Sequence, residues 1–240
     1  MINSTGFRDR LISLLEQTQG VRVVPFDLDR ENLVILDLTE NNPDFKNIDP
    51  ADPAAFSQYI SSLVQARGAR AAIGRYNENR TIYDKSAVFG PSPGTQQDRP
   101  LRRTLHIGLD LWAQAGTPVL AALDGKVHSF QDNRARGDYG PTIILEHEIQ
   151  GVNFYTLYGH LNRESLQDLA RGRPVQAGSE IARMGDIHEN GHWPPHLHFE
   201  IIRDMQGMEG DFPGVCSMDR KDEFLWLCPD PNLLLKIKNL

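Results

Sequence analysis

The chain reads as a mainly β protein, a compact antiparallel β-sheet body with a small α/β N-terminal segment. Two observations predict this. From Arg103 onward, short runs of alternating or continuous apolar residues are separated by turn signals, the pattern of an all-β body. Before that point the periodicity is helical in two stretches, around residues 5–19 and 53–67. Hydrophobic residues make up 40% of the 240 and charged residues 24%, an ordinary balance for a globular protein.

In the first helical stretch Phe7, Leu11, Leu14 and Leu15 fall on one face, with Ser4 or Thr5 available as a cap. Strand-like runs follow at Val21–Val24 and Leu33–Leu36. Asp52-Pro53 is a helix start, an N-cap followed by proline at the first helical position, and Phe56, Ile60, Leu63 and Val64 mark the buried face beyond it. Residues 1–67 carry no recognisable chemistry and read as a packing element. The run Gly74–Arg80 leads into Thr81-Ile82-Tyr83, either a rim of a substrate cleft or a hydrated loop. The expected division is therefore an α/β segment with its loop at 1–89, a turn-rich linker at 90–100 and a β domain at 101–240 with an irregular tail. Strands are expected at Thr104–Leu111, Pro118–Ala121, Gly125–Phe130, Thr142–His147, Asn153–Tyr158, Glu180–Met184 and His198–Ile202. Ser165–Ala170 is at most a helical turn.

The formal net charge of −7 gives no nucleic-acid footprint. No apolar run approaches the ~20 residues of a membrane-spanning helix, and the cluster Leu11–Leu15 is too short for a signal-peptide core. With Met1 as the native start, a cytoplasmic location is expected. Two cysteines, Cys216 and Cys228, do not make a disulfide framework and read as reduced, partly buried thiols.

The chemistry concentrates in histidines. In Trp193-Pro194-Pro195-His196-Leu197-His198-Phe199-Glu200 the prolines delay the strand. His196, His198 and Glu200 then share one face, while Leu197, Phe199 and Ile201 point into a core. Two imidazoles on one strand face form half a zinc site. The second half is His106-Ile107-Gly108-Leu109-Asp110. In a straight strand His106 and Asp110 lie about 13 Å apart, at ~3.3 Å per residue. Zinc needs both donors at about 2 Å, so the backbone must bend, and Gly108 can supply the bend. The third element is Tyr158-Gly159-His160-Leu161, with His160 at a strand end and a glycine that permits close approach of another group. Glu200 either orients a ligand imidazole or lies in a solvated strand-end network. His188 and His192 belong to the loop before the zinc strand, as groove wall or plain surface, and His128 and His147 read as structural or exposed.

Together, His106-x-x-x-Asp110, Tyr158-Gly159-His160-Leu161 and His196-Leu197-His198-Phe199-Glu200 resemble the lysostaphin/LytM-type zinc metallopeptidases, the peptidoglycan DD-metalloendopeptidase family. The resemblance covers residues 100–203, with the motifs in the family's order. It implies a zinc ion held by His106, Asp110 and His198, and a catalytic pair formed by His160 and His196. It also implies hydrolysis of peptide (amide) bonds by a zinc-activated water, assisted by the two histidines, with peptidoglycan-type peptides as the default substrate class. The alternative is a LytM-like regulatory or binding module that keeps its zinc without catalysis. The approach Gly191–Pro195 is bulkier than the glycine- and serine-rich one of exported members. The stretches Asp138–Leu145, Gly210–Val215 and Cys228–Asn232 are similar to a non-exported branch, found between a phosphotransferase-like and an aminotransferase-like domain. For that branch a small cytoplasmic peptide or amide is the implied substrate.

Overall fold

The computed structural model describes residues 4–83, 102–238 and 240. The expected linker at 90–100 and the side chain of Phe7 lie outside the described residues. In chain order the elements are α1 (Ser4–Gln17), β1 (Leu33–Ile35), α2 (Pro53–Ala66), β2 (Ala71–Gly74), β3 (Glu78–Asn79), β4 (Arg103–His106), β5 (Leu109–Trp112), β6 (Pro118–Leu120) and β7 (Gly125–Asn133). Then follow β8 (Gly140–Ile149), β9 (Val152–Gly159), β10 (Pro174–Val175), β11 (Glu180–Arg183), β12 (His196–Ile202), β13 (Val215–Ser217), α3 (Lys221–Leu227) and α4 (Asn232–Leu235).

The main sheet runs β1-β2-β5-β12-β9-β8-β7-β10. Its pairs are antiparallel except β1 with β2. A three-stranded sheet, β13-β4-β3, and the pair β11-β6 complete the β structure. The protein is mainly β, as its alternating runs and turn residues dictate. Asp52 caps α2 through its side chain, which accepts from the backbone N–H groups of Ala54 and Ala55. The strand beginning after the prolines is β12, which opens at His196.

Several expected elements differ. Val21–Val24 forms no strand. Its Val23 and Val24 are fully buried, and the Val23 carbonyl accepts from Leu120, so the run serves the core without joining the main sheet. The single strand expected at Thr104–Leu111 is two strands in two sheets, interrupted at Ile107-Gly108. The tail is not irregular throughout: it holds β13, α3 and α4. Short elements of this kind carry too few residues to display a period.

Leu197, Phe199 and Ile201 of β12 enter the main core with Leu109, Leu111 and Tyr158. Leu11, Leu14 and Leu15 of α1 share that same core. A second cluster, with Ile144, Leu157, Ile202 and Phe224 from α3, covers the other face. All seven residues of β12 are consequently buried, polar ones included. Both cysteines are buried and free.

Candidate metal centre

The register of β12 explains why the sequence motifs meet. β12 lies between β5 and β9, with His198 opposite Asp110 on one side and Gly159 on the other. His196 stands opposite Trp112, and the two rings stack at 5.1 Å and 18°. His106 arrives from the other sheet, at the end of β4, where it pairs with Glu78 and Val215. The chain changes sheets at Ile107-Gly108, and this brings His106 Nε2 to 3.3 Å from Asp110 Oδ1. Gly108 is required for space rather than for a left-handed backbone. A Cβ there would sit 2.3 Å from His198 Cε1.

His106, Asp110 and His198 are all buried and turn their donor atoms toward one another. His106 Nε2 to His198 Nδ1 is 3.0 Å, and His198 Nδ1 to Asp110 Oδ1 is 3.1 Å. Tetrahedral zinc with bonds of about 2.0–2.1 Å spaces its ligand atoms by roughly 3.3 Å. The three separations match that edge, so the residues fit a zinc ion.

The hydrogen bonds around the triad select the right tautomers. The carbonyl of Arg75 lies 2.9 Å from His106 Nδ1 and can only accept, so Nδ1 carries the proton and Nε2 presents its lone pair. His198 turns Nε2 to Glu200 Oε2 at 3.2 Å and to the Tyr139 hydroxyl at 3.4 Å, leaving Nδ1 for the metal side. Glu200 is fully buried, so it belongs to this ligand-orienting arrangement and not to a solvated network. Burial, with help from Arg80, lowers the His106 pKa to about 4. Burial acts the same way on His198, but hydrogen bonds to Asp110 and Glu200 outweigh it and raise that pKa to about 9, so a cation entering the site displaces the Nδ1 proton that faces Asp110. Burial would raise Asp110, yet His106 and Arg80 hold it well below the usual carboxylate range.

His160 and His196 lie together beside the triad, their ring centroids 4.0 Å apart. His160 follows β9 directly, with a left-handed backbone at φ 62°. Its Nδ1 donates to the carbonyl of Asn190 at 2.8 Å, and His196 Nδ1 donates to that of Pro194 at 2.7 Å. Each Nε2 is left unprotonated, and that of His196 is 4.0 Å from Asp110 Oδ1. Burial lowers both pKa values, to about 4 for His196. The group that the glycine before His160 admits is Tyr139, whose ring a Cβ on Gly159 would meet at 2.6 Å. A cavity of about 230 Å³ opens over Asp110, His198 and the pair, walled by Tyr83, Trp112, Tyr139, Trp193 and Phe212 among others. His188 and His192 are exposed and do not line it.

Sequence reasoning passed over Arg80, Glu78 and Tyr139. Arg80 stands in a polar run that looks hydrated, yet it is 1% exposed and bonded to Asp110. Nothing local marks an arginine as buried, because its partners come from other strands.

Residues 104–209 match the family model Peptidase family M23. That span contains all five histidine and aspartate positions. A 100-residue stretch is 38% identical to the lipoprotein NlpD/LppB homolog of Pseudomonas aeruginosa, over 42% of this chain and 30% of that protein. A 129-residue stretch is 33% identical to the DD-carboxypeptidase/endopeptidase Mpg of Neisseria meningitidis, over 53% of this chain and 26% of that protein. The matches thus span less than a third of these relatives. Among solved structures, the catalytic domain of lysostaphin from Staphylococcus simulans is 27% identical, over 62% of this chain and 88% of that one, with a TM-score of 0.38. No helix among the described residues is long and apolar enough to cross a membrane.

Proposed function

We propose that the protein is a zinc metallopeptidase that hydrolyses peptide (amide) bonds, with His106, Asp110 and His198 as zinc ligands and His160 and His196 as the catalytic pair. One observation carries this reading: three buried donors at zinc-like spacing stand beside two neutral imidazoles whose Nε2 atoms are unprotonated. When bound, zinc supplies a Lewis acid for the scissile carbonyl and acidifies a water. The two imidazoles supply the proton handling. Their Nδ1 protons are committed to backbone carbonyls, so Nε2 of either accepts a proton from water and returns it to the leaving amine. While it holds that proton, the same Nε2–H hydrogen-bonds the oxyanion, and the second imidazole stays neutral with its Nδ1 proton on the backbone carbonyl. Stacking on Trp112 keeps the His196 ring in this orientation.

The family match and the name of a further relative, the Peptidoglycan DD-endopeptidase ShyC of Vibrio cholerae, support peptidoglycan-type peptides as the substrate class. The Tyr83 and Trp193 rings meet at 6.2 Å at the wall of the cavity. Metal analysis of the purified chain, followed by turnover of peptidoglycan fragments and of short glycyl and D-alanyl peptides with and without chelator, tests the proposal. Near-stoichiometric zinc with chelator-sensitive cleavage is the expected result. Zinc without cleavage of any of them would favour the non-catalytic module, and absence of metal binding would remove the zinc reading.

A further inference from the structure

Arg80 lies beneath the metal centre, 1% exposed, and its guanidinium hydrogen-bonds to four of the described residues. Its Nε donates to Glu78 Oε2 at 2.9 Å, and one terminal nitrogen donates to Asp110 Oδ2 at 2.5 Å and to the Tyr83 hydroxyl at 3.1 Å. The other donates to the carbonyl of Arg75 at 3.2 Å, the same carbonyl that fixes the His106 tautomer. Glu78 is held in turn by the backbone N–H of Leu38 at 3.3 Å. Gly74 leaves room for the guanidinium, since a Cβ there would lie 2.6 Å from it. Asp110 is therefore divided. Oδ1 faces His106 and His198, and Oδ2 is taken by Arg80.

We propose that Arg80 is a positioning residue of the metal centre, which holds Asp110 to single-oxygen ligation and makes the segment before β4 part of the site. The inference rests on the zinc reading above. A charge-assisted bond to one carboxylate oxygen fixes the plane of the group and keeps that oxygen from swinging onto the ion. Partners of this kind orient ligands, and their loss commonly weakens metal binding by roughly 10- to 100-fold. Arg75, Glu78 and Arg80 thus orient two of the three ligands although none touches the metal position.

The test uses the full chain loaded with cobalt(II) or zinc. The double variant Arg80→Met with Glu78→Gln removes the guanidinium and the Glu78 charge together, and the bound metal ion faces the Asp110 charge that remains. It is expected to bind zinc roughly 10- to 100-fold more weakly in chelator competition. Its cobalt visible bands should weaken as Asp110 engages through both oxygens and the coordination number rises. Unchanged affinity and unchanged bands in a folded double variant would overturn the inference while leaving the zinc reading intact. A wild-type chain that takes up neither ion would overturn both. X-ray absorption of the zinc-loaded wild type needs no variant. A four-coordinate ion with a one-oxygen carboxylate is expected, and a two-oxygen carboxylate signature would count decisively against Arg80's role.

Discussion

At the residue scale, the two histidines of β12 are chemically different although both are buried and only two positions apart. His198 has Nδ1 turned to Asp110 and Nε2 to Glu200, so both nitrogens are committed. His196 has only Nδ1 committed, to a carbonyl. His198→Ala should therefore lose zinc, measured as metal content after gel filtration. His196→Ala should keep the metal and lose turnover by roughly 100- to 10,000-fold, the usual worth of a general acid–base group. A His196→Ala protein that turned over normally would remove His196 from the mechanism. His147, far from the site, makes a different prediction. It is buried between the Asp124 carbonyl and the Thr156 hydroxyl, and burial lowers its pKa below the unfolded value of 6.5. As pH falls the unfolded chain takes up this proton first. The contribution of His147 to stability is thus complete above about pH 6.5 and lost as pH falls below it. Urea midpoints at pH 7.5 and 5.5 should differ less in His147→Gln than in the wild type, and equal differences would contradict the assignment.

At the element scale, the triad and His196 come from three strands and a change of sheet, with His160 added from the end of β9. β12 contributes His196 and His198, β5 contributes Asp110, and β4 contributes His106 from the other sheet. Gly108 stands at the change of sheet, and the His198 imidazole fills the space its missing side chain leaves. Gly108→Ala should displace the ring or split the β4–β5 corner, weakening zinc binding by roughly 10- to 100-fold as for other changes that misorient a ligand. Chelator competition measures it, and wild-type affinity would show that the corner has slack. The alternation in His196–Ile201 already displayed this strand and its two faces. It did not display that the polar face is as buried as the apolar one, because α3 and β13 cover the sheet from the far end of the chain.

At the scale of the whole molecule, the N-terminal segment is continuous with the β body. β2 pairs with β5 so that Gly74 stands opposite Asp110, and α1 packs on α4 and into the main core. Leu11, Leu15, Val23 and Val24 are fully buried. Each contributes roughly 1.5–3 kcal/mol by burial. Together they approach the ~5–15 kcal/mol that separates a folded domain from its unfolded chain. Deleting residues 1–67 should therefore produce an unfolded or aggregating protein rather than a more active one. Circular dichroism and thermal melts of the truncated chain check this. A truncated chain that melts like the full one, or that gains activity, would make the segment a removable cover.

The sequence by itself determined the local facts: a mainly β body, the onset of β12 after two prolines, the capped start of α2, and the residue types able to hold zinc. These follow from nearest-neighbour physics, namely side-chain period, proline's missing N–H and the donor chemistry of imidazole and carboxylate. Only the tertiary structure decided what depends on contacts between distant segments. It set the 3.0–3.3 Å spacing of the triad, the tautomers that backbone carbonyls impose on three histidines, the burial of Glu200, and the guanidinium of Arg80 under Asp110. Arg80 and Asp110 lie thirty residues apart and meet because β2 pairs with β5 while β3, just before Arg80, pairs with β4, and no periodicity in either segment records those pairings.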